Sequence, residues 1–285
     1  MQLQAVTPST SAVVADFLRR YDYMCATLTD YFIRQRSDTS FFVLYEQGTI
    51  CGVFSYSTAG VVLFCLPYPR CYPAMRDVLI SFFKGKTLFC LNGCEPAASF
   101  MLSVLQAASA LQARELVTYY LMIRPYTQKS ADKTILADGY SIRQCSIDDL
   151  DVLFPLEKGF QQEEVWIKDM GYDEIAGKKI FARVLKTYPV FAVERRKTEM
   201  APAQCVAKAA INALGYTCGQ LGGVYTAPTM RRCGFSLCAV RACIAFLTQS
   251  HRHAVLFVKQ KNVAAYGLYK KLGFVPKSNY MIAYW

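Results

Sequence analysis

The chain has 285 residues, of which 53% are hydrophobic, 14% aromatic and 19% charged, enough apolar material for one large core or two ordinary ones and far from the profile of a disordered chain. The net charge of +11 admits an anionic partner but names none, because such a charge also occurs in proteins that bind no polymer. Twelve cysteines form no C-x-x-C pair and only two histidines occur, His251 and His253, which argues against a metal site and for reduced thiols packed as small hydrophobes, Cys51 and Cys65 among them.

The first twenty residues carry no basic segment ahead of an apolar run, and no 18 apolar residues stand uninterrupted, so a soluble cytoplasmic protein without a membrane span is expected. In chain order, residues 11–32 read as helical. Residues 39–67 follow as apolar runs split by Gln47-Gly48 and Ala59-Gly60, a pattern of antiparallel strands and short turns. Met75, Val78, Leu79, Phe82 and Phe83 fall on one helical face. A strand near residues 86–93, a helix over 97–106 and a strand over 114–124 complete this part.

Residues 125–139 are polar and turn-rich and give the expected domain boundary, with an α/β unit over 1–137 and a second unit over 138–285. Beyond it come a strand (140–145) and a helix opened by Ser146 with Asp149 in the partner position of a capping box. A second helix (175–187), a strand (188–194), a charged turn (194–202) and further strands lead to residue 222. Both units interleave short strands with helices, so the first reads as a diverged relative of the second. The expected class is α/β with a mixed sheet, without the repeated long βα units of a barrel.

Residues 222–247 concentrate the chemistry. Leu221, Val224 and Tyr225 suit a strand that ends at Pro228, and Leu237, Val240, Ile244 and Leu247 describe a buried helix stripe. Between them, Arg231, Arg232 and Gly234 stand at a helix N-terminus, where free backbone N–H groups, positive charge and an absent side chain suit a phosphate. An ordinary basic strand-to-helix turn fits the same residues, and neither a Walker loop nor a Rossmann glycine pattern is present.

The run "VYTAPTMRRCGFS" resembles the coenzyme A signature of the GNAT N-acetyltransferase superfamily: Arg or Gln, two residues, Gly, one residue, then Gly or Ala. Arg231, Gly234 and Ser236 occupy those positions, and Ser236 departs from the pattern by a hydroxymethyl group. Residues 262–285 are similar to the end of GNAT domains, through Asn262, Ala265, Leu268, Tyr269, Gly273 and Phe274. The resemblance covers about residues 140–285 and extends to a bacterial subgroup with an extra N-terminal domain.

The resemblance implies a GNAT fold and an N-acetyltransferase passing an acetyl or other acyl group from acetyl-CoA to a primary amine, small molecule or peptide. The chain is then expected as a monomer or homodimer. Two parallel strands, one ending near Thr226 and one over 254–259, would splay around the pantetheine arm. The arm would meet Gly223, Val224, Tyr225 and Thr226, and the pyrophosphate would meet Arg231, Arg232, Cys233, Gly234, Phe235 and Ser236. Asn262 would hydrogen-bond the pantetheine amides or act as a helix N-cap, and Tyr266 joins the cofactor set. Tyr269 would be the general acid for the departing thiolate, or a core tyrosine.

For the base, Glu163 and Glu164 are the adjacent acidic pair of a substrate-side helical region, where one carboxylate could hold the other's pKa up. Solvated surface glutamates or a water chain are the alternatives. A GNAT fold used only to bind or sense acyl-CoA remains open. Nucleic-acid binding is suggested only by charge, through Arg231-Arg232, Lys259, Lys261, Lys270-Lys271 and Lys277, with no recognised RNA module.

Overall fold

A computed structural model describes residues 1–127, 136–165, 171–196 and 203–285. The first half runs β1 (Gln2–Ala5), α1 (Pro8–Arg20), α2 (Ala26–Ile33), β2 (Thr39–Glu46), β3 (Thr49–Ser57), β4 (Val61–Cys65), α3 (Tyr72–Phe83), β5 (Cys90–Cys94), α4 (Ala97–Ser109) and β6 (Glu115–Arg124). The second runs β7 (Tyr140–Cys145), α5 (Leu150–Phe160), α6 (Glu174–Thr187), β8 (Val190–Arg195), β9 (Gln204–Leu214), β10 (Cys218–Thr226), α7 (Phe235–Gln249), β11 (His253–Lys259), α8 (Val263–Lys271) and β12 (Val275–Tyr284). Element for element, the order is the same.

Local chemistry sets these boundaries. Pro8 stands in the first turn of α1 behind a Thr7–Thr10 capping box, Asp173 accepts the Ala176 N–H at the start of α6, and the Ser146–Asp149 capping box forms as the sequence predicts. The turn signals at Gln47-Gly48 and Gly60 have positive φ, as tight hairpin connections need. The helical region expected over 11–32 is broken at Tyr21–Cys25. There Asp22 turns away and its Oδ2 accepts the backbone N–H groups of Thr217 and Cys218 at 2.6 and 2.9 Å. The charged stretch expected as a turn lies largely outside the described residues, at 197–202.

Among the described residues, twelve strands join one mixed sheet in the order β1-β2-β3-β4-β5-β12-β6-β11-β10-β9-β8-β7. Each half gives its last strand to the other: β12 pairs antiparallel with β5 (Tyr280↔Cys94 to Tyr284↔Cys90), and β6 pairs antiparallel with β11 (Ala254↔Arg124 to Lys259↔Tyr119). The two exchanged strands pair with each other at the centre. Elements β1–β6 and β7–β12 thus repeat one order and share a single sheet.

Alternation along the strands divides the core. Met281 and Ala283 pack with α3 and α4, whereas Tyr280 faces Ala26 of α2 together with Phe257. Helices α1, α2, α5 and α6 cover one face, and α3, α4, α7 and α8 the other. Two buried aspartates tie the halves across the first face. Besides Asp22, Asp30 accepts the Leu214 N–H at 2.9 Å and the Tyr188 hydroxyl at 2.5 Å. Burial raises the Asp22 carboxyl above the usual carboxylate range, against the pull of its amide donors.

Residues 138–285 expressed alone would leave β11 and β12 flanking a missing strand, with two apolar edges unpaired. The expected outcome is aggregated or unfolded protein by size-exclusion chromatography and circular dichroism. A folded monomer with a sharp melting transition would show instead that the second half needs no strand from the first.

Candidate cofactor groove and active site

Parallel pairing of β10 with β11 begins at Cys218↔His253 and stops at Leu221↔Leu256, although β10 continues to Thr226 and β11 to Lys259. On its other side, β10 loses register with β9 between Gly222 and Tyr225. Gly223, with φ +58, sits in this bulge, in the left-handed region where a side chain is strained. The bulge bends β10 away from β11 and opens a cavity of about 850 Å³ between them.

The expected splay over residues 222–226 is thus present, and its lining brings together most of the sequence-predicted residues. These include Gly223 to Thr226, Arg231, Arg232, Gly234 to Ser236, Asn262 and Tyr269. Gly234 (φ +80) is the N-cap of α7, and the first-turn residues Phe235 to Leu237 line the opening. The Ser236 hydroxyl lies 2.5 Å from the Thr226 hydroxyl, which ties down the group that departs from the GNAT pattern. Cys233 is exposed, with its thiol directed to the Arg231 carbonyl, and Tyr266 packs on Tyr120; neither side chain lines the cavity.

Glu163 and Glu164 lie on a π-helical turn (Gln161–Val165) that prolongs α5, and they face different partners. Glu163 receives a two-pronged contact from Arg231 Nη2 at 2.7 and 2.8 Å and the Tyr225 hydroxyl at 2.6 Å. Burial pushes its carboxyl up, but the Tyr225 and Arg231 donors outweigh this and hold it below the usual carboxylate range. The expectation that one glutamate keeps the other's pKa high is corrected for Glu163 by this cation. Glu164 accepts from Asn262 Nδ2 at 3.0 Å, and Lys259 Nζ lies 3.9 Å from its other oxygen.

Asn262 is a helix N-cap: its Oδ1 accepts the Ala265 N–H at 3.0 Å. Tyr269 is buried between sheet and helix yet borders the cavity. Desolvation, with Glu164 and Cys243 adding to it, raises its phenol far above the ordinary tyrosine value, so it keeps its proton at neutral pH. Lys259 is shifted the other way, its ammonium lowered chiefly by burial.

Several lining or supporting residues carried no sequence signal. Tyr119 reaches the cavity from β6, opposite Lys259 in the sheet, so the first half supplies part of the wall. Gly159 of α5 lets the Tyr225 ring approach, since a Cβ there would meet the Tyr225 hydroxyl at 2.5 Å. Buried Lys208 and Glu157 lie behind the bulge. Only the three-dimensional pairing of these residues reveals them. In the first half, β4 and β5 are the parallel counterparts, and there the Phe64 ring occupies the space a Gly93 side chain would need, at 2.2 Å. Among the described residues no group of three or more His, Cys, Asp or Glu side chains is placed to hold a metal ion, and no helix is long and apolar enough to cross a membrane.

Residues 203–282, which hold the bulged strand, the arginine turn and the tyrosine helix, match the family model described as FR47-like protein. Solved structures match the whole chain. A Drosophila protein superposes with a TM-score of 0.73 at 12% identity, covering 99% of this chain and 98% of the other. A GNAT-family acetyltransferase from Colwellia psychrerythraea gives a TM-score of 0.56 at 9% identity over 100% and 99% of the chains. A tandem GNAT protein from the clavulanic acid biosynthesis pathway gives 0.55 at 11% identity over 99% and 97%. No curated protein sequence matches. The chain has the fold of the GNAT acyltransferase superfamily, a mixed sheet with flanking helices.

The Glu163–Arg231 contact makes a direct prediction. In a carboxyl NMR titration Glu163 should protonate at lower pH than an ordinary glutamate, and Arg231→Ala should move that midpoint upward. The bridge is then fully formed above the ordinary glutamate pKa and lost as pH falls through the depressed value. A midpoint that does not respond to Arg231→Ala would place the cause elsewhere.

Proposed function

We propose that the protein is an acyl-CoA-dependent N-acyltransferase working on a primary amine. The observation that carries this reading is the divergence of β10 from β11 onto a cavity that joins an arginine turn at one helix start to Tyr269 and Glu164. The residues fit coenzyme A in shape and charge. The bulged backbone of Gly223 to Tyr225 suits the pantetheine arm, and the α7 N-terminus with Arg231 and Arg232 suits the phosphates. Bound there, acyl-CoA supplies an activated thioester.

Tyr269 holds a proton that burial keeps on the phenol, ready for a leaving thiolate. Glu164 is the better of the two glutamates for taking the proton of the amine, because Glu163 is held by Arg231 and Tyr225. Arg231 is also the group a diphosphate would attract, so cofactor and Glu163 compete for one guanidinium. The amine would enter from the face that carries Glu164, Phe257 and Tyr119, where the two halves meet.

Arg231→Glu or Arg232→Glu should weaken acetyl-CoA binding by calorimetry, since each reverses a charge facing a diphosphate. Unchanged affinity in both variants would return the turn to a structural role. Tyr269→Phe should lower kcat by about 10- to 10⁴-fold with acetyl-CoA affinity nearly intact, measured as thiol release across amines, amino acids, polyamines, peptides and aminoacylated RNA. Tight cofactor binding with no turnover by the unaltered protein would favour an acyl-CoA sensing module.

A further inference from the structure

Lys208 of β9 is 1% exposed, and its Nζ lies 2.7 Å from the Gly223 carbonyl oxygen and 2.7 Å from Glu157 Oε2 of α5. The Phe160 and Phe181 rings flank the ammonium, with centroids at 5.0 and 5.4 Å. Lys208 is in register with Tyr225 and Ala192, and its ammonium meets the carbonyl of Gly223, which like Val224 has no register partner on β9. A lysine buried here must be held by its partners, and those partners lead to the cavity.

The Gly223–Val224 peptide is trans, and a trans peptide directs its C=O and N–H to opposite sides. By holding the Gly223 carbonyl on its ammonium, among Glu157, Phe160 and Phe181, Lys208 leaves the Val224 N–H of the same peptide directed the other way. A cation on the carbonyl oxygen also polarises the amide and strengthens its N–H as a donor. Glu157 reaches the opposite bank: its Oε1 accepts from Gln161 Nε2 at 2.6 Å, on the first residue of the π-helical turn that carries Glu163 and Glu164. One buried ion pair thus bears on both walls of the groove.

We infer that Lys208, neutralised by Glu157, is a positioning residue that fixes and polarises the Gly223–Val224 peptide so that its N–H donates to a carbonyl oxygen of an acyl-pantetheine arm. The inference rests on the acyl-CoA reading of the cavity. Lys208 acts through the peptide and touches no ligand.

The test compares two probes by calorimetry: acetyl-CoA, and adenosine 3′,5′-bisphosphate, which carries phosphates but no pantetheine. The double substitution Lys208→Met with Glu157→Gln removes both charges and keeps an apolar stem between the rings. Thermal unfolding should remain cooperative, nucleotide affinity should be unchanged, and acetyl-CoA affinity should fall by roughly fivefold, the worth of one good hydrogen bond. If the double variant does not fold, Glu157→Gln alone should shift the same affinity ratio in the same direction. A ratio identical to that of the unaltered protein, or equal losses for both probes, overturns the role of Lys208. Failure of the unaltered protein to bind either probe overturns the cofactor reading itself.

Discussion

Two neighbouring parallel strands pair for four residues and then part, and the cavity between them depends on that parting. Ending a ladder inside a sheet is expensive, because buried backbone groups need partners. The bulge at Gly222–Tyr225 makes the parting possible, and a lysine ammonium answers the carbonyl that the bulge turns inward. That ammonium in turn requires Glu157 and two aromatic rings, since breaking a buried ion pair typically costs about 3 to 5 kcal/mol. The groove is therefore set by a chain of local obligations reaching from β9 to α5.

The two halves have the same element order and unequal fates. In the second half the parallel pair opens, whereas in the first Phe64 lies over Gly93. The first half contributes support instead. It inserts β6 beside β11, places Tyr119 in the cavity wall, and extends Asp22 and Asp30 to the turn between β9 and β10. Exchange of the last strands makes the sheet continuous, so the walls of the groove are held by segments distant in sequence.

Within the cavity, adjacent glutamates take different parts because the π-helical turn points them apart. Glu163 lies on a guanidinium that lowers its affinity for protons, while Glu164 lies between an asparagine amide and a lysine whose own charge is weakened by burial. Tyr269 is shifted upward by the same exclusion of water. One cavity thus holds Glu163 paired with a guanidinium, Glu164 turned to other partners, and a buried Tyr269 phenol.

Much of this was legible in the chain itself. The capping box at Ser146, the glycine turns, the apolar stripe of α7 and the Arg231–Gly234 turn are short-range patterns, and each is governed by interactions within a few residues. The splay over residues 222–226 was also foreseen, through resemblance to a family motif. Asn262 was left between two roles, and its first-turn hydrogen bond with Ala265 makes it a cap. What the sequence did not disclose were the exchanged strands, Tyr119 in the wall, Lys208 under the bulge and Arg231 on Glu163. Each joins residues from 15 to well over 100 positions apart, as in the Lys208–Gly223 and Arg124–Leu272 hydrogen bonds. Periodicity and spacing report which face a residue occupies, but the choice of partner across a sheet depends on the register and crossing of the folded chain.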